Sequence, residues 1–362
     1  MKTPLVSICL PNLNTQPFLE ERMETILFQT FKDWELVICD SYSSDGSWEF
    51  FQKFRDDPRI TMFQAPRAGT PGSWNYCVER SKGRYIYVAT SDDTMEPNLL
   101  EVLLGALECA PQCLMATCNS RLIDEKSRPV TADVFGIDWR PSVYGDWMQR
   151  KHIRHGISEF VANCAAGTYW GTITAVLLKR NLLDVTGRFP IGKTSHADYE
   201  WGLRACLSTD TLHVPDCLAT LRVHQSQSSA NIDWAKLGFL HVHMIRDAMK
   251  DLANRIPAVM LTPEAFNKLT LPVRIRAFNA LHLYPSTFLE HPVHTCINLG
   301  RGLKRQPCLT LSHLLQGARW DSRPQIDYKA HVESLLHEFG LPPICAPIEV
   351  FSQPTNQTGV HS

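Results

Sequence analysis

The sequence predicts a doubly wound α/β fold, in which a mostly parallel sheet carries helices on both faces. In the first 120 residues, short apolar runs with little internal alternation recur, as is typical of strands buried on both faces. Segments whose apolar residues return every three or four positions, as in helices, separate these runs. Right-handed crossovers through such helices produce a parallel sheet. With 362 residues, 44% of them hydrophobic, the chain is long enough for one large or two ordinary domains.

The order of the predicted elements divides the chain into three parts. Strands are predicted over 5–10, 34–39, 59–63, 85–89 and 112–118, with helices over 17–30, 48–54, 72–81 and 97–108 between them. A strand running into a helix follows over 170–183, and a helix over 195–208. We therefore predict an α/β domain over 1–230, a helical region over 231–341 and a flexible tail over 342–362. The helical region holds helices over 231–256, from 263 to a limit at Pro272, and over 325–339.

Composition excludes several classes of protein. The 36 basic and 37 acidic residues give a net charge of −1, which argues against a nucleic-acid binder. The twelve cysteines lie in apolar runs and form no C-x-x-C pairs. The N-terminus lacks a signal peptide, and no apolar run approaches the roughly 18 residues of a membrane span. These features predict a reduced, cytoplasmic, soluble protein whose oligomeric state the sequence leaves open.

Acidic residues follow two of the predicted strands. Asp92 and Asp93 come directly after the fourth strand, at the sheet edge where doubly wound folds bind ligands. Such a pair repels itself unless a cation or donors compensate, and its oxygen atoms suit Mg²⁺ or Mn²⁺ on a phosphate. The alternative is a cap of the next helix. Asp40 ends the second strand and is predicted to accept a hydrogen bond from a ribose or base, with a turn residue as the alternative. Asp45 is interpreted as turn material.

Two stretches carry a resemblance to a known family. The first is VSICLPNLNTQPFLEERMETILFQTFKDWELVICDSYSSDGS, and the second is AGTPGSWNYCVERSKGRYIYVATSDD. Both resemble family 2 glycosyltransferases of the GT-A fold. The matching positions are Pro11 to Asn14, Gln29-Thr30, Asp40, Ser44-Asp45-Gly46, Gly69, Asn75, Lys82-Gly83 and Asp92-Asp93. The resemblance covers residues 4 to about 228, and it implies that 1–230 is a nucleotide-sugar-binding catalytic domain.

By this resemblance the donor is a nucleotide-diphosphate sugar, bound with a divalent cation, Mn²⁺ or Mg²⁺, and the acceptor is a hydroxyl of a glycan or another molecule. Asp92 would bind the cation, with Asp93 supporting it. The residues implied to contact the donor are Pro11, Asn14 and Asp40 at the nucleoside, Arg67 at the nucleoside or diphosphate, and Asn75. Thr90 and Ser41 stand where the family commonly has acidic residues.

A later stretch, GRFPIGKTSHADYEWGLR, resembles the family's catalytic-base block. It places Asp198 as the general base that deprotonates the acceptor hydroxyl, with Glu200 in reserve and Ala197 where the family often has Glu. A solvated helix start is the alternative interpretation of Asp198. A single base with in-line displacement implies inversion at the anomeric carbon.

The stretch LATLRVHQSQSS resembles the block that closes the catalytic core. Arg222 and His224 alternate on a predicted strand and so share a face, from which they could reach the diphosphate and the metal respectively. Trp170 and Trp201 are candidates for an acceptor pocket, with burial in the core as the alternative. His241 and His243 lie in an apolar helical stretch and are interpreted as structural.

The sequence as a whole therefore predicts a cation-assisted inverting glycosyltransferase, acting in the synthesis of a polysaccharide or glycoconjugate. One alternative is an inactive nucleotide-sugar-binding module, which Thr90 and Ala197 favour. A nucleotidyltransferase ranks last, because PNLNTQPFLEE offers no glycine-rich loop with Arg and Lys to hold a triphosphate. Peripheral contact with a membrane stays open.

Overall fold

The structure, a computed structural model, describes residues 2–130, 140–167, 171–191, 196–225, 227, 234–281, 292–305 and 326–348. The strands are β1 (Val6–Asn12), β2 (Trp34–Asp40), β3 (Ile60–Gln64), β4 (Tyr85–Val88), β5 (Met115–Ile123), β6 (His152–Arg154), β7 (Val176–Lys179), β8 (Thr211–Arg222) and β9 (Cys345–Ala346). The helices of the first 230 residues are α1 (Gln16–Leu27), α2 (Ser47–Phe51), α3 (Gly69–Arg80), α4 (Leu99–Cys109), α5 (Arg140–Tyr144), α6 (Gly156–Ala166), α7 (Leu182–Thr186) and α8 (Ala197–Cys206). Four more follow: α9 (Trp234–Asp251), α10 (Pro263–Leu281), α11 (Pro292–Arg305) and α12 (Tyr328–Glu338).

The described strands form one mixed sheet in the order β3-β2-β1-β4-β7-β5-β8-β6-β9. Its first half is parallel, as predicted, because α1, α2 and α3 return the chain to the same edge after each strand. The second half is not uniformly parallel. Strand β7 runs antiparallel between β4 and β5, and β6 runs antiparallel to β8.

The register of the parallel half brings the carboxyl ends of β2, β1 and β4 together. Asn12 of β1 pairs with Asp40 of β2, and Cys9 of β1 pairs with Val88 at the end of β4. Asp40 and the residues after β4 are therefore separated laterally by two strand spacings of the same sheet. The polar residues that the sequence predicts at these strand ends thus share one edge of the sheet.

Two predictions about the C-terminal third are wrong. Pro272 does not limit its helix, since α10 continues from Pro263 to Leu281 with Pro272 inside it. Apolar neighbours such as Leu269 and Val273, both fully buried, hold the helix on each side of the proline. The tail does not begin free at residue 342, because Cys345 and Ala346 pair with β6. Residues 349–362 lie outside the described residues.

The C-terminal helices share a hydrophobic core with the sheet. Val242 of α9, Leu269 of α10 and Val332 of α12 belong to the same buried cluster as Phe160 of α6 and Leu203 of α8. The predicted boundary near residue 230 therefore separates two kinds of secondary structure that pack around a common interior. No helix of the described residues is long and apolar enough to span a membrane.

Candidate active site

Asp92 and His224 form a close pair beyond the end of β4. The Nε2 atom of His224 lies 3.0 Å from Oδ2 of Asp92. His224 is buried, and its ring packs 4.8 Å from the ring of Phe18. The Asp92 side chain retains 23% exposure, so its carboxylate is partly accessible. The structure thus brings together the two residues for which a metal role is predicted.

Asp93 lies behind this pair and faces the protein interior. Its Oδ1 accepts the backbone N–H of Arg222 at 2.8 Å, and its Oδ2 accepts the hydroxyls of Thr90 and Thr174. Burial, followed by the neighbouring charge of Asp92, raises the pKa of Asp93 to about 7. Asp93 is therefore placed to support Asp92 from the interior.

Arg222 is buried and already satisfied by the protein. Its guanidinium donates to the carbonyl of Asp92 at 2.6 Å, the carbonyl of Asp124 at 2.9 Å and the carboxylate of Glu21 at 2.7 Å. Another N–H reaches the hydroxyl of Ser127. Arg222 thus fixes the backbone that carries Asp92, and its predicted contact with a diphosphate stays a prediction.

Asp40 is hydrogen-bonded within the protein, and its predicted contact with a nucleoside stays a prediction. Its side chain is fully buried at the end of β2. Oδ1 accepts from Asn12 and from the Ser43 hydroxyl, while Oδ2 accepts from the Ser43 N–H and from Gln64. A carboxylate has about four acceptor positions, so these donors fill it. Asp40 holds the turn after β2 in place.

The other residues that are predicted to contact the nucleoside lie around this turn. Pro11 is buried within β1. Asn14 has a positive φ of 54° and accepts the N–H of Ser44, while its own N–H donates to the Ser43 hydroxyl. Arg67 is exposed, and its guanidinium donates to the carbonyls of Ser41 and Tyr42. The predicted turn role of Asp45 is confirmed, because its carboxylate accepts the N–H groups of Gln16 and Ser47 at the starts of α1 and α2.

Three residues at this edge are not among the predicted site residues. Ser43 bridges Asn12, Asn14 and Asp40. Leu13 and Tyr42 expose 42% and 55% of their surface there, and Tyr42 has a φ of 55°, which is uncommon for a residue other than glycine. Serines after an Asp at a strand end are a usual turn signal, which could have identified Ser43.

Two further candidate side chains are bonded within the protein. The amide of Asn75 bonds both backbone groups of Phe189, at 2.8 and 3.1 Å, so it joins α3 to the segment before α8, and its predicted contact with a donor stays a prediction. Trp201 is fully buried and donates to the Thr186 hydroxyl, which makes it a core residue. Trp170 lies outside the described residues.

Asp198 lies in the first turn of α8. Its Oδ1 accepts the N–H of Tyr199, and its side chain is partly exposed. Burial of the carboxyl raises the pKa of Asp198, an effect that the neighbouring His196 opposes. The described hydrogen bonds of Asp198 do not reach Asp92 or His224. The reserve candidate, Glu200, is buried.

The pair of Asp92 and His224 suits a divalent cation that takes most of its ligands from elsewhere. Among the described residues, no group of three or more His, Cys, Asp or Glu side chains could hold a metal ion. Mg²⁺ is commonly bound by one or two carboxylates, with substrate phosphates and water completing its shell. A carboxylate beside an imidazole therefore fits a cation that arrives with a diphosphate.

Residues 7–164 match the family described as glycosyl transferase family 2. This match covers 158 of the 362 residues, and it confirms the predicted resemblance to family 2 glycosyltransferases. Over 104 residues the chain is 34% identical to a hyaluronan synthase of Pasteurella multocida, an alignment that covers 28% of this chain and 11% of that protein. The chain thus spans far less than two thirds of the length of this curated relative.

Solved structures with the same fold extend over nearly the whole chain. The S. aureus protein TarS (residues 1–349, with UDP-GlcNAc) aligns with a TM-score of 0.56 and 14% identity, covering 93% of this chain and 92% of that one. A mannosyltransferase of Pyrobaculum calidifontis, solved with GDP-Man and Mn²⁺, gives a TM-score of 0.52 at 17% identity, covering 92% and 87%. At these identities the likeness shows the fold alone, and the predicted GT-A type is confirmed.

Proposed function

We propose that this protein is a family 2 glycosyltransferase that moves a sugar from a nucleoside diphosphate sugar to a glycan hydroxyl, in the synthesis of a polysaccharide or glycoconjugate. The observation that carries the proposal is the Asp92–His224 pair at the carboxyl end of the parallel strands. The relatives support it, since one is a hyaluronan synthase and two solved neighbours hold UDP-GlcNAc or GDP-Man.

The nucleoside would lie over the turn after β2. Leu13 and Tyr42 offer exposed apolar surface to a base, and Arg67 places a cation beside the same turn. Asp40, Asn12 and Ser43 keep the turn rigid from below through their mutual hydrogen bonds. A rigid turn reduces the entropy that is lost when a donor binds.

Asp92 and His224 would hold a divalent cation on the diphosphate. When bound, the cation neutralises the negative charge that builds up on the leaving diphosphate. Arg222 keeps the Asp92 carbonyl fixed, and Asp93 anchors the backbone of Arg222 in turn. These buried bonds orient the Asp92 carboxylate before the donor arrives.

Asp198 would act as the general base toward the acceptor hydroxyl. The base must be ionised to accept a proton, and its raised pKa shifts that ionisation to higher pH. Activity should therefore fall on acidification at a higher pH than for an ordinary Asp, whose pKa is about 3.9. One base and a displacement from the opposite side would invert the anomeric carbon.

The experiment screens UDP, GDP and other nucleotide sugars with Mn²⁺ or Mg²⁺ for thermal stabilisation and for slow hydrolysis of the donor. With the donor so found, Asp198→Asn should lower turnover by about 10²–10⁴-fold, while donor-induced stabilisation persists. Asp92→Asn should instead remove the dependence of that stabilisation on Mn²⁺.

Three outcomes are distinguishable in this experiment. Stabilisation by a donor that the wild type neither hydrolyses nor transfers would favour the inactive binding module. Full turnover by Asp198→Asn would exclude Asp198 as the base. The absence of any response to every donor would refute the proposed function.

A further inference from the structure

A histidine of the C-terminal helical region lies beside the proposed base. His241 of α9 is only 8% exposed, and its ring centroid is 5.7 Å from that of His196, the residue that precedes α8. On its other side the ring packs 4.1 Å from Tyr199. His196 and Tyr199 flank Asp198 in the sequence, so three rings surround the start of the helix that carries the base.

The Nε2 atom of His241 is buried and has no hydrogen-bond partner among the described residues. A buried polar atom without a partner is costly, and an apolar residue of similar size would avoid that cost. The nearby polar groups of the protein are committed elsewhere. The Tyr199 hydroxyl donates to the Asn163 carbonyl, and Arg276 of α10 donates to Ala166 and Tyr328.

His241 is neutral in this position. Burial, followed by the charges of His196 and Arg276, lowers the pKa of His241 well below its ordinary value. Burial likewise lowers the pKa of His196, although Asp198 opposes that effect. A neutral imidazole offers one donor and one acceptor, which matches a sugar hydroxyl, itself both donor and acceptor.

The packing of α9 fixes where His241 lies. Gly238, one turn earlier, lies so close to α10 that a Cβ atom there would be 2.5 Å from the Cβ of Ala277. The helix that carries His241 is thus held against α10 on one side and α8 on the other. These helices lie outside residues 7–164, the part that matches family 2.

We propose that His241 and His196 form the polar wall of the acceptor site, where they hydrogen-bond hydroxyls of the glycan whose attacking hydroxyl lies at Asp198. This inference rests on the proposed function and names the side chains that recognise its acceptor. It also assigns part of the active site to the C-terminal helical region.

The test compares transfer to a sugar with transfer to water. A panel of p-nitrophenyl glycosides serves as acceptor with the donor found by screening, and glycoside products and free sugar are measured in the same reaction. His241→Leu should lower the ratio of transfer to hydrolysis about tenfold, because one hydrogen bond to the acceptor is lost. His241→Gln retains a donor and an acceptor and should recover part of that ratio.

His331→Leu is the matched control. His331 lies in the same helical region, on α12, with its Nε2 bonded to the Lys268 carbonyl on α10. This variant should leave the ratio unchanged, and thermal unfolding would identify any variant that fails to fold. An unchanged ratio in His241→Leu, or an equal fall in transfer and hydrolysis, would overturn the proposal.

A wild type that hydrolyses a donor but transfers to none of the glycosides would also count against this acceptor site, while leaving the proposed donor chemistry intact. A wild type without activity on any donor would instead refute the proposed function itself. The two failures are therefore distinguishable.

Discussion

Two arginines are buried near Asp93, and the protein accommodates them in opposite ways. Arg222 donates hydrogen bonds to two carbonyls, a hydroxyl and the carboxylate of Glu21. Arg22 of α1 is fully buried, and its three side-chain nitrogens have no hydrogen bond of good geometry among the described residues. Its guanidinium lies close enough to Tyr87 and Asp93 to oppose the burial that raises their pKa values, to about 12 and about 7 respectively.

Arg22→Met should therefore stabilise the protein. Methionine fills a similar volume and removes buried donors that lack good hydrogen bonds, and leaving such a donor unsatisfied costs about 1–3 kcal/mol. Urea unfolding of the wild type and the variant measures this difference in the free energy of unfolding.

Arg222→Met is the matched control and should destabilise by about 1–3 kcal/mol, since it leaves the carbonyls of Asp92 and Asp124 without their donor. If Arg22→Met were as destabilising as Arg222→Met, Arg22 would have partners that the structure does not show.

The sequence predicts which residue types gather at this edge but not how they bond. Asp40, Asp92 and Asp93 each follow a strand that is recognisable from its apolar run, so their common edge follows from the fold. Their different roles depend on donors that come from turns and distant strands, such as Ser43 and Gln64 at Asp40 or the Arg222 N–H at Asp93. Such partners are set by tertiary packing, which the spacing of residues along the chain does not contain.

At the scale of elements, the crossing of α9 and α10 depends on one glycine. An added Cβ at Gly238 would meet the Cβ of Ala277 at 2.5 Å and the Val273 carbonyl at 3.2 Å. Gly238→Ala should destabilise by about 1–3 kcal/mol, because overpacking outweighs the better helix propensity of alanine. Thermal and urea unfolding measure the loss.

Gly105→Ala provides the matched control. Gly105 lies within α4, and a Cβ there would meet no atom within 4 Å. The same substitution should therefore stabilise by about 0.5–1 kcal/mol. Equal effects at the two glycines would show that α9 and α10 do not approach as closely as the structure indicates.

The elements themselves could be predicted to different extents. The parallel half of the sheet follows from repeated strand and helix patterns, and those strands are confirmed. The antiparallel position of β7 is not visible in its sequence, because a short apolar run buried on both faces fits either direction. Pro272 is a typical signal for the end of a helix, but the packing of apolar residues before and after it in α10 outweighs the local cost of the proline.

At the scale of the molecule, the two regions predicted from the sequence share one interior. Val242 and Ile245 of α9, Leu269 of α10 and Leu335 of α12 pack in the same cluster as residues of α6, α8 and the sheet. The boundary near residue 230 follows from the change in the sequence pattern, and helices do predominate among the described residues after it. Contact between the helices and the sheet could not be predicted, because the apolar face of an amphipathic helix shows that the helix packs against something but does not identify its partner.

A chain that ends at residue 230 should therefore fail to fold cooperatively. Removal of residues 231–362 would expose the apolar faces of α6 and α8 that α9, α10 and α12 cover. Each large apolar side chain returned to water costs about 1.5–3 kcal/mol. A typical domain has only about 5–15 kcal/mol of net stability, so a few such side chains exhaust it.

Circular dichroism during urea unfolding should show no sharp transition for the chain that ends at residue 230, whereas a control chain that ends at residue 348 should unfold like the full chain. A sharp transition in the shorter chain would show that residues 1–230 are an independent domain, and the C-terminal helices would then be an addition to the fold and no part of its core.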